Sequence, residues 1–219
     1  MLRAGCQRLS LLLHSLYEFW TSAAGGTPLE WVAVITGFAC VWLAARESLW
    51  NFPTAIVSCG LYIFVYYGQQ LYADCLLQGF FIAMGLYGWY EWQYGGARHS
   101  ALVVSRTRPW EWLVVVVGVV LFTSGFGYYL KHYTNDSLPY WDSFTTAGSL
   151  AAQYLLTRKR LENWLLWVLV DLVYVPILWH KHLYPSSGLY AVYLVLAVYG
   201  YVEWRRAARA AIATTSPAA

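Results

Sequence analysis

Seven runs of mostly apolar residues, at about 28–45, 51–70, 73–93, 110–130, 140–156, 163–180 and 187–204, occupy most of this 219-residue chain. Each is bounded by charge, glycine or proline and comes close to the ~20 residues a helix needs to cross a bilayer. Only 11% of residues are charged, against about 25% in a soluble domain. A water-soluble surface cannot be assembled from that, so the expected fold is an all-α membrane protein with seven core transmembrane helices. Segment 7–22 is different: Gln7, Ser10, His14, Glu18 and Ser22 recur at helical spacing and put a polar stripe on an apolar helix. It reads as an amphipathic helix at the interface or as an eighth span. Arg3 and Arg8 before the leucine run look like the start of a signal peptide, but His14 and Glu18 interrupt its apolar region.

Basic residues set the orientation. Arg46; Arg98, Arg106 and Arg108; Arg158, Lys159 and Arg160; and Arg205, Arg206 and Arg209 fall on one side of the seven runs, whereas the opposite loops carry Lys131 and Lys181. The positive-inside rule makes the first side, and with it the C-terminus, cytoplasmic. A net charge of +3 scattered over short loops gives no basic stripe for nucleic acid. The four cysteines lack zinc or disulfide-scaffold spacing.

Displacing the sequence by 112 positions pairs Arg46 with Arg158, Leu49 with Leu161, Asn51 with Asn163 and Tyr62 with Tyr174. The same register pairs Leu71-Tyr72 with Leu183-Tyr184, Tyr87-Gly88 with Tyr199-Gly200, and Glu91-Trp92 with Glu203-Trp204. Three matched dipeptides in one gapless register read as an internal repeat. The units are an N-terminal segment 1–27, a three-helix repeat 28–95, a linker helix within 96–138, a second three-helix repeat 139–206 and a cytoplasmic tail 207–219. The single linker helix makes the repeats parallel, a 3+1+3 arrangement in which the solute site is expected between repeats near the midplane.

Polar groups at that depth are costly and face a cavity or one another. Asn163, Trp167, Asp171 and Tyr174 share one helical face, and Asp171 is the sole carboxylate deep within the seven runs. Asp74 and Gln78 share a second face, Thr146, Ser149 and Gln153 a third, and Ser58, Tyr62 and Tyr66 a fourth. Interhelical hydrogen bonding accounts for a lone Ser or Thr; Gln78, Gln153 and Asp171 are harder to satisfy by incidental packing. A carboxylate beside Trp167 and tyrosines suits a cationic aromatic solute, with amides left for hydroxyls. His180-Lys181-His182 sits at a helix end without acidic or cysteine partners, so no metal is expected there. No lysine lies in run 187–204 to form a retinal Schiff base, and one deep carboxylate does not make a catalytic constellation. The expected activity is transport of a small solute without a cofactor, not catalysis.

Trp50-Asn51-Phe52-Pro53, Leu71-Tyr72-Ala73-Asp74 followed by Leu77-Gln78, Tyr87-Gly88-Trp89-Tyr90, and Leu161-Glu162-Asn163-Trp164 with Trp167 together resemble the bacterial nicotinamide riboside transporter family over roughly 28–205. The resemblance implies a fold similar to SWEET sugar transporters, packed as a homotrimer in the inner membrane among lipid. It further implies facilitated diffusion of nicotinamide riboside into the cytoplasm for NAD synthesis, where a kinase traps it. Relatives in that family carry thiamine, riboflavin or deoxynucleosides instead. Gln78, Asn163, Trp164 and Trp167 take their expected place at the site or its gate from the resemblance; Asp171, Gln153 and Tyr62 rest on spacing. Trp50, Asn51, Tyr66, Thr146 and Ser149 are expected at gates or behind the site.

Overall fold

The computed structural model describes residues 28–68, 72–134, 137–180 and 184–215; the stripe at 7–22 lies outside them, as do Lys181 and His182. Seven α-helices are described: α1 Pro28–Ala45, α2 Asn51–Gly68, α3 Tyr72–Tyr94, α4 Pro109–Tyr133, α5 Pro139–Thr157, α6 Asn163–His180 and α7 Tyr184–Thr215. The apolar runs and the helices coincide to within a few residues, except that α7 continues past 204. Its extension is rich in Ala and Arg, strong helix formers that need no apolar packing to stay helical. Helix α6 runs unbroken through Pro176.

The exterior is that of a protein in lipid. On α4, Leu113, Val114, Val120 and Leu121 are each more than half exposed, an apolar surface water would not tolerate. Helices α4 and α6 have the length and hydropathy of spans by composition alone; tyrosine and small polar residues lower the hydropathy of the others.

Consecutive helices pack as α1 on α2, α2 on α3, α4 on α5, α5 on α6 and α6 on α7. Helix α1 also meets α7, and α3 meets α5, closing the bundle. Each of α1 and α5 ends in a Schellman motif. Ser48 N–H donates to Leu43 O and Glu47 N–H to Ala44 O; 112 positions later Arg160 N–H donates to Leu155 O and Lys159 N–H to Leu156 O. The left-handed position is filled by Glu47 (φ 54) and Lys159 (φ 52), where a non-glycine costs about 1–2 kcal/mol. The two strained residues hold each other: Lys159 Nζ lies 2.8 Å from Glu47 Oε2.

Past these turns, Asn51 Nδ2 donates to Ser48 O and Asn163 Nδ2 to Arg160 O, both at 2.6 Å. Trp92 Nε1 donates to Leu156 O and Trp204 Nε1 to Ala44 O, both at 3.0 Å. The two indoles meet with centroids 5.6 Å apart, and each carries an edge-on ring, Phe52 at 5.0 Å on Trp92 and Trp164 at 5.5 Å on Trp204. These rings form the core with Ala44, Leu156, Leu161 and Ala197.

The segment between α3 and α4 crosses this end of the bundle in extended form. Ser105 N–H donates to Lys159 O and its carbonyl accepts from Leu161 N–H, while Thr107 donates through backbone and hydroxyl to Glu162 Oε2 at 2.7 Å.

Candidate functional site

The basic end identified from sequence is a paired layer. Arg158 bridges to Glu91 at 2.9 Å and donates to the Tyr87 hydroxyl. Burial works against its charge, but Tyr87 and Glu91 together hold its guanidinium above the ordinary pKa. Lys159 adds a bond to Leu102 O at 3.0 Å and sits over the Trp92 ring. Arg160 reaches Glu111 at 2.7 Å, whose other oxygen accepts from Arg108 N–H at the start of α4. An open depression of about 470 Å³ beside it is lined by both signs of charge, Arg46, Glu47, Glu203 and Arg206 among them.

Asp171 is the contrast. It is 3% exposed, and among the described residues it has no ion pair or side-chain hydrogen bond. Tyr190 and Tyr193 of α7 lie close enough to feel its charge. Tyr190 packs edge-on against Tyr174 at 4.6 Å and against Tyr193 at 5.7 Å. From the other half of the chain come Tyr62 and Tyr66, stacked on α2 at 5.5 Å; Tyr62 neighbours Tyr193 electrostatically and Tyr66 neighbours Tyr190. Gly37 on α1 allows the approach: a Cβ there would stand 3.2 Å from both the Tyr193 hydroxyl and Ser58 Oγ.

Tyr62 and Tyr66 of the α2 stripe and Tyr174 of the α6 stripe thus have the α7 tyrosines as common neighbours. Sequence reasoning missed Tyr190 and Tyr193; their signal, an i, i+3 tyrosine pair, is diluted among 19 tyrosines. Along α6 toward the paired layer, Trp167 packs against the aromatic core and Trp164 is 2% exposed within it. Asn163, 0% exposed, leaves Oδ1 without a hydrogen-bond partner among the described residues, as Trp164 leaves Nε1. Two buried orphan groups on successive residues are unusual, and a bound polar solute is one way to satisfy them.

Other candidates lie elsewhere. Gln78 and Gln153 are half-buried on α3 and α5, two helices that touch; the side chain of Asp74 is outside the described set. Thr146 and Ser149 donate to Asp142 O and Thr145 O of their own helix. Asn51 is buried in the α2 turn, and Trp50, 71% exposed, stands at the rim. Among the described residues no three potential metal ligands cluster.

A helical bundle clothed in lipid-facing side chains, with a carboxylate held inside it among aromatic rings, belongs to the class of membrane transporters. The nicotinamide mononucleotide transporter family matches residues 27–206, and the chain is a member of it. It is 32% identical to the nicotinamide riboside transporter PnuC of Escherichia coli over 214 residues, 85% of this chain and 90% of that one. It is 30% identical to the riboflavin/roseoflavin transporter RibM of Streptomyces davaonensis over 198 residues, 89% of each. The crystal structure of the vitamin B3 transporter PnuC matches with a TM-score of 0.67 at 25% identity, covering 91% of this chain and 89% of that one.

Proposed function

We propose that this chain carries nicotinamide riboside into the cytoplasm by facilitated diffusion, supplying NAD synthesis, and that its path follows the stripe on α6. The observation that carries the reading is Asp171, buried without a partner among the described residues in a cluster of tyrosines. A carboxylate left so in hydrocarbon costs several kcal/mol, a cost that a cationic pyridinium offsets. From Asn163 to Tyr174 the stripe is about 16 Å long at 1.5 Å per residue, enough for a base and its ribose. Asn163, Trp164, Trp167, Asp171 and Tyr62 line it in this reading, Gln78 and Gln153 supply amides for the hydroxyls, and Trp50, Asn51, Tyr66, Thr146 and Ser149 serve the gates.

The two halves, 28–95 and 139–206, are parallel repeats around the linker 96–138, similar to SWEET transporters, and rock against each other for alternating access. The recurrence of capping bonds, asparagine bonds and indole bonds at a spacing of 112 residues supports this. The chain sits in the inner membrane with its paired basic end and C-terminus cytoplasmic, assembles as a homotrimer and hands its solute to a trapping kinase.

Riboflavin is the second reading, favoured by the likeness to RibM; thiamine, like nicotinamide riboside a cationic aromatic, is a third. Calorimetry of the purified protein with nicotinamide riboside, thiamine and riboflavin separates them. Selective binding of the riboside is expected. Binding of riboflavin alone would transfer the chain to that branch, and binding of none by folded protein would overturn the transport reading.

A further inference from the structure

We propose that Tyr190 and Tyr193 of α7, with Tyr62, Tyr66 and Tyr174, form a cage around Asp171 that reads the positive charge of the solute's ring. Such a cage admits a cationic heteroaromatic nucleoside and discriminates against an uncharged one of the same shape. This deepens the reading above and rests on it.

The contrast between the turn before α6 and the middle of that helix carries the inference. At the basic end Arg158, Lys159 and Arg160 all have carboxylate partners. Two turns into the helix, Asp171 has none among the described residues, and the phenols of Tyr190 and Tyr193 are among its neighbours. A carboxylate seeking only structural satisfaction would have a cation or a set of N–H donors against it. What stands here is a set of rings from α2, α6 and α7 in stacked and edge-on arrangements. Tyrosine faces carry negative electrostatic potential and attract a cation, so rings and carboxylate act with one sign. A neutral ring gains stacking from the same surface but nothing from Asp171. Tyr190 is the centre of the arrangement, touching Tyr174 and Tyr193 and neighbouring Tyr66 of the other half.

The test compares nicotinamide riboside with its 1,4-dihydro form, which has nearly the same outline and no ring charge, by calorimetry on the chain in lipid nanodiscs. The charged form should bind at least about tenfold more tightly, within the range of a desolvated cation over aromatic rings. Asp171→Asn should collapse that ratio while binding of the dihydro form persists, which also reports that the variant is folded. Tyr190→Leu should lower the ratio several-fold and Tyr190→Phe should retain it; a residue that only packs would change both affinities together. Equal binding of the two forms by the parent protein overturns the cage and leaves riboside transport standing, and so does an undiminished ratio in Asp171→Asn. If that variant does not fold, the parent ratio decides. Failure of both forms in protein that binds riboflavin removes the riboside reading and the cage with it.

Discussion

Replacing Gly200 by alanine tests how tightly α6 and α7 pack at the aromatic core. A Cβ at Gly200 would lie 2.6 Å from Cε2 and Cζ2 of Trp164 and 2.7 Å from its Cδ2. Carbon contacts settle at about 3.5–4.0 Å, so the overlap approaches ~1 Å against a whole ring face. The indole has little room to retreat: Trp164 is 2% exposed, and Trp204 stands edge-on to it. Alanine gains about 1 kcal/mol over glycine in a helix, while overpacking a tight core costs about 1–3 kcal/mol or more. With a rigid neighbour the upper end applies, for a net loss of about 2 kcal/mol. Thermal unfolding of the detergent-purified protein should then show a midpoint lower by about 4–8 °C. Gly88→Ala should act alike, since its Cβ meets Phe52 at 2.7 Å and Thr157 at 2.9 Å. Gly60, with nothing within 4 Å, is the control and should be neutral or slightly stabilised on the same change. A Gly200→Ala protein that melts with or above the parent would refute the tight packing of α7 on Trp164.

Two further changes probe the same end. Lys159→Met removes the bridge to Glu47 and the bond to Leu102 O; with Glu47 partly solvated the expected loss is about 1–3 kcal/mol. Adding Glu47→Gln should recover part of it in a double-mutant cycle, and strict additivity would show that the pair does not couple. Trp92→Phe and Trp204→Phe each delete an indole bond to the opposite half and should each cost about 2 kcal/mol. A silent change at either position would mean that the two bonds are not equivalent in strength.

The seven described helices and most of their limits were legible in the amino-acid order, because a bilayer imposes length and apolarity on each segment separately. The displacement of 112 residues was legible too, yet what the matched residues do was not. Asn51 and Asn163, whose amides tie turn to helix, and Trp92 and Trp204, which bond across the bundle, are matched in sequence for reasons visible only in three dimensions. The end of α7 was misjudged because hydropathy marks where a helix leaves lipid, not where it stops.

Of the site, Asp171 announced itself, since an acid in an apolar run is costly whatever surrounds it. The orphan groups of Asn163 and Trp164, and the proximity of Tyr190 and Tyr193 to Asp171, were hidden, because nothing local distinguishes a tyrosine near lipid headgroups from one near a carboxylate. Membrane residence, the seven described helices and one buried carboxylate were therefore determined by sequence alone, through transfer energies that act residue by residue. Which rings neighbour that carboxylate, and which charges at the basic end pair, was decided by tertiary packing, which depends on how helices from both halves meet.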